Sequence, residues 1–82
     1  LFVRELCASA VARGMDEQQA LRIVNETMRG TATALRENDL DTNGLMRAVA
    51  SPGGLTERAL ESFDQSGLAA TVERAVATVL GE

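Results

Sequence analysis

Apolar side chains in this chain of 82 residues recur at the three- and four-residue intervals of a helix, and glycine or proline closes the runs. The first stripe is Val3, Leu6, Cys7, Ala10 and Val11, in a segment from Leu1 to Arg13 that stops at Gly14, where a helix C-cap glycine belongs. Asp16, with Gln19 three residues on, then predicts the capping-box-like start of a long helix carrying Ala20, Val24, Thr27, Met28, Thr31 and Leu35 on one face. The polar stretch Glu37 to Gly44 ends that helix near Asn38, and a short helix is expected from Asp41 or Thr42 to about Ala50. Ser51-Pro52-Gly53-Gly54 breaks the chain, because proline disfavours helix at Ser51 and two glycines reach angles that other residues avoid. Helical spacing returns in Leu60, Phe63, Leu68, Val72, Val76 and Val79, and Ser66-Gly67 is placed to kink or split this last stretch. The expected fold class is all-α, with five helical segments, no strand and no internal repeat, residues 1–82 forming one unit.

Composition says what such helices can bury. Two Phe are the only aromatic residues, and with no Trp, Tyr or His the core must be built from Leu, Val, Ile, Ala and Met. A domain of this size buries only about 60 to 65% of the surface its unfolded chain exposes, so a thin core and reliance on a partner are expected. Eight basic against twelve acidic residues, a net charge of -4, oppose the phosphate attraction on which nucleic-acid binding rests, and there are no aromatic faces for bases to stack on. No nucleic-acid partner is therefore expected. The single Cys7 has no disulfide partner and no His for a thiol-based pair or a mixed zinc site, so it reads as a small buried hydrophobe. The longest apolar run is three residues, against roughly 20 for a membrane span. No membrane partner and no targeting segment are expected. A first residue that reads as mid-helix, without an initiating Met, points to a piece of a longer polypeptide.

Few residues are arranged for chemistry. Asp39-Leu40-Asp41-Thr42-Asn43-Gly44 matches the opening of a calcium loop, but the twelfth position, where a bidentate Glu should sit, is Ala50 and the ninth is Arg47. Asp39 and Asp41 then read as capping and solvating residues, and no metal is expected. Ser51 to Thr56 is a glycine turn running into a helix, which leaves backbone N–H groups at the positive end of the helix dipole. It lacks the glycine and lysine pattern of nucleotide phosphates and suits a small carboxylate better. The competing reading is a plain tight turn in which Thr56 caps the helix. Glu57, Glu61 and Asp64 fall on what should be a solvated face, Arg58 and Arg36 read equally well as surface ions, and neither Ser51 nor Thr56 has an orienting base nearby in sequence. Gly30, inside the long helix at a cost of about 1 kcal/mol relative to Ala, either forms a small-residue notch with Ala34 for another backbone or is a neutral surface position.

The run Ala48-Val49-Ala50-Ser51-Pro52-Gly53-Gly54-Leu55-Thr56 resembles the V-T-S-P-G-G-x-T signature of the pyrroline-5-carboxylate reductase family. The order of Arg13-Gly14, Asp16 to Ala20 and Met28 to Thr31 is similar to that of the family's C-terminal domain, so the resemblance covers nearly the whole chain. It implies that residues 1–82 are a C-terminal dimerisation domain that interlocks with a second protomer, in a homodimer or larger homo-oligomer. It further implies that NADP or NAD is bound by an N-terminal Rossmann domain absent from this chain. By the same resemblance Ser51, Gly53, Gly54 and the backbone of Leu55 hold the carboxylate of a small imine. Thr56 is the catalytic position, its hydroxyl reaching the ring nitrogen, and the dimer interface includes Met28, Gly30 and Ala34. The implied reaction is reduction of 1-pyrroline-5-carboxylate to L-proline in the cytoplasm, this domain being inactive alone. Ala50 and Leu55 depart from the signature, standing where Thr and Thr or another small residue are usual. A relative that reduces a different cyclic imine or acid, and a non-catalytic helical interaction module, are the alternatives.

Overall fold

A computed structural model describes the whole chain, Leu1–Glu82, as five helices with no strand. They are α1 (Phe2–Ala12), α2 (Glu17–Glu37), α3 (Thr42–Val49), α4 (Leu55–Gln65) and α5 (Leu68–Leu80).

The boundaries fall where side chains or special backbone angles satisfy the free ends of each helix. α1 closes in a Schellman arrangement: Gly14 adopts φ +100°, its N–H donates to the Val11 carbonyl at 2.9 Å, and the Met15 N–H donates to the Ala10 carbonyl at 3.1 Å. α2 opens on Asp16, whose carboxylate accepts from the Gln19 N–H at 3.1 Å. Its other end uses no glycine. Asp39 (φ 56°) and Leu40 (φ 61°) both take the left-handed conformation, and the Leu40 N–H reaches back to the Leu35 carbonyl at 2.7 Å. Asp41 starts α3 by accepting from the Gly44 N–H at 2.9 Å, and a side chain on Gly44 would run into that carboxylate. Gly67, at φ 82°, separates α4 from α5, so the last stretch is two helices.

The chain divides into two compact units, Leu1–Leu45 and Met46–Glu82, the division falling within α3. In the first, α1 and the N-terminal part of α2 pack through Cys7, Ala20 and Val24, with Ala10 and Met28 against them. All three central residues are small, so the two backbones can come close. Burying Val24 fully contributes about 1.5 to 3 kcal/mol, and Ala20 and Cys7 add less. α1 has 11 residues and α2 has 21, which at 1.5 Å per residue means that α1 is about half as long as its neighbour. Beyond Met28 no residue of α2 belongs to this core.

The second unit contains no buried residue. Contacts between α4 and α5 leave an open apolar groove lined by Met46, Leu60, Phe63, Leu68 and Val72. Further along α5, Val79 is 85% exposed and Leu80 66%. No helix of the chain is long and apolar enough to cross a membrane.

Candidate functional site

The segment that links α3 to α4 lies wholly in the second unit. The Gly54 N–H donates to the Ser51 carbonyl at 2.9 Å, closing a four-residue turn with Pro52 and Gly53 at its centre. Pro52 supplies the fixed φ wanted at the first central position. Gly53 adopts φ +73°, the left-handed value that a type II turn requires at the second. Gly54 follows in extended conformation (φ -81°, ψ 175°) as the N-cap of α4, and its carbonyl accepts the first helical bond, from the Arg58 N–H at 3.2 Å. Glycine is favoured here by space rather than by backbone angle: an added Cβ would lie 3.0 Å from the Ser51 oxygen and 3.4 Å from the Ser51 Cβ.

This geometry gathers hydrogen-bond donors at one helix end. The N–H groups of Leu55, Thr56 and Glu57 belong to the first turn of α4, where a helix offers its own amides no carbonyl, and no side chain of the chain accepts from them. With the positive end of the α4 dipole they make a place suited to a carboxylate. Ser51 and Thr56 are exposed beside these donors, and Leu55, the first residue of α4, is 78% exposed. Neither hydroxyl donates to a partner within the chain.

Two expectations change. The helix is capped by Gly54 and not by Thr56, which sits one residue inside α4. Glu57 is not simply part of a solvated face. It is half-buried, and its Oε1 accepts from the Gly53 N–H at 3.3 Å, so the turn carries a carboxylate of its own. The signal for this was in the sequence: a Glu at the third position of a helix reaches back to the amides preceding it, as in a capping box.

The residues expected at a dimer interface lie in the other unit. Gly30 is exposed, and a Cβ built there meets nothing within 4 Å, so nothing inside the chain demands glycine. Ala34 is half-buried one turn on, and Met28 is partly engaged in the core of its own unit. Cys7 is buried, as the sequence indicated. No group of three or more His, Cys, Asp or Glu side chains is placed to hold a metal ion, and Asp41 serves as a helix cap.

Residues 1–81 match the family model described as pyrroline-5-carboxylate reductase dimerisation. Among curated proteins the chain is similar to the pyrroline-5-carboxylate reductase of Aquifex aeolicus, 35% identical over 71 residues, which is 87% of this chain and 27% of that protein. It is similar also to that of Pseudomonas aeruginosa, 35% identical over 76 residues (93% and 28%), and to pyrroline-5-carboxylate reductase 3 of Bos taurus, 36% identical over 75 residues (92% and 24%). The chain thus spans about a quarter of the length of these relatives. No solved structure matches it.

Proposed function

Since the chain belongs to the pyrroline-5-carboxylate reductase dimerisation family, we propose that it is the dimerisation and substrate-carboxylate-binding domain of a cytoplasmic reductase that converts 1-pyrroline-5-carboxylate to L-proline. The reductant is NADPH or NADH, which would supply hydride to the C=N carbon, while water supplies the proton that the ring nitrogen takes up. Residues 1–82 offer a dinucleotide no cradle, having no strand leading through a glycine-rich turn into a helix, and the cofactor belongs to a part of the protein outside this chain.

The observation that carries the proposal is the Ser51 to Gly54 turn, which opens three unpartnered amides at the head of α4 with Thr56 beside them. The substrate carboxylate takes the N–H groups of Leu55 and Thr56 and the Ser51 hydroxyl, while Gly53 and Gly54 let the ligand approach the backbone. The Thr56 hydroxyl donates to the ring nitrogen. Two anchors on one flat ring fix which face and which carbon are presented, so the contribution of this chain is orientation, with no protein nucleophile and no acid-base pair. The family match supports a second copy of the chain as partner. The uncovered part of α2, with Gly30, Ala34 and the flank of Met28, is the proposed contact. Leu55, large and exposed where the signature has a small residue, favours as second reading a relative that takes a different cyclic imine or acid.

The test is steady-state turnover of the full-length protein with pyrroline-5-carboxylate, following oxidation of NADPH and then NADH. Thr56→Ala is expected to lower kcat/KM about 10 to 150-fold, the value of one hydrogen bond to a charged or developing-charge group. Unchanged kcat/KM in a correctly folded Thr56→Ala enzyme excludes the assigned role. Turnover of another cyclic imine with none of pyrroline-5-carboxylate selects the second reading.

A further inference from the structure

We draw no further inference here: the strongest candidate, the open apolar groove between α4 and α5 lined by Met46, Leu60, Phe63, Leu68 and Val72, carries none, because a second copy of the chain as its occupant restates the dimerisation already known of the family and nothing in the structure shows what else covers it.

Discussion

Gly53 and Gly54 are adjacent, but the structure gives them different reasons to be glycine, and replacing each by alanine separates the two. At Gly53 a Cβ would meet nothing within 4 Å, so the cost of Gly53→Ala is backbone conformation alone: φ is +73°, where an L-residue is disfavoured by about 1 to 2 kcal/mol. Asn tolerates this region better, so Gly53→Asn should recover part of the loss. At Gly54 the backbone is ordinary extended chain and the Cβ lies 3.0 Å from the Ser51 oxygen. Relief needs the Ser51 carbonyl to move by a few tenths of an ångström, and that carbonyl is the acceptor that closes the turn at 2.9 Å. The stability cost is small, about 0 to 1 kcal/mol, because alanine also narrows the unfolded ensemble by about 0.4 to 1 kcal/mol. The kinetic cost is larger, about 3 to 30-fold in kcat/KM, since the displaced turn mis-aims the Leu55 and Thr56 amides. Urea denaturation of the full-length protein at one fixed protomer concentration reads the first quantity and steady-state kinetics the second. The expected pattern is a crossover, with Gly53→Ala worse in stability and Gly54→Ala worse in activity relative to its stability loss. Equal stabilities for Gly53→Ala and Gly53→Asn would refute the conformational account, and a kinetically silent Gly54→Ala would refute the cradle.

Asp16→Ala removes the acceptor of the Gln19 N–H and should cost about 1 kcal/mol in a denaturation experiment, with Asp16→Ser close to wild type. Gly30→Ala distinguishes an exposed helix position from an interface. With open space around it, alanine should stabilise α2 by about 0.8 to 1 kcal/mol, whereas packing against a second protomer reverses the sign and shifts the assembly toward monomer in light scattering at low micromolar concentration.

The helices were legible because their period and punctuation agree. Gly14, Asp16, Pro52 and Gly67 each combine a local backbone requirement with the end of an apolar stripe, and the observed boundaries fall at or beside them. The end of α2 was placed correctly near Asn38, but the device there was hidden, since Asp39 and Leu40 enter the left-handed region without glycine and propensity alone does not foresee this for Leu. The turn from Ser51 to Gly54 and the helix start after it could be read because proline and two glycines leave few backbone solutions. Which residue capped the helix could not be read in the same way: Thr56 and Gly54 are both acceptable caps, and the choice rests on where the turn delivers the first helical hydrogen bond. Glu57 reads as solvated from its spacing with Glu61 and Asp64, while its place at the third position of α4 is the signal for the contact with the Gly53 amide that the preceding turn brings within reach. The stripe on α2 was read as one face, and of it Ala20, Val24 and Met28 belong to the core shared with α1. Thr27 and Thr31 instead return their hydroxyls to the Ile23 and Thr27 carbonyls at 2.8 Å.

The stretch Met46–Glu82 carries the candidate site and buries none of its own side chains. Ordering a residue's backbone costs about 1 to 2 kcal/mol, and contacts within this stretch do little to repay it. Order there is then expected to depend on a surface that covers the apolar flanks of α4 and α5. For a covering surface that is another copy of the same chain, the amount of competent protein follows the square of chain concentration at the dilute end. A cell making half as much of the chain would lose more than half of its working sites, and a variant damaged only on these flanks would be read as scarce rather than as inactive.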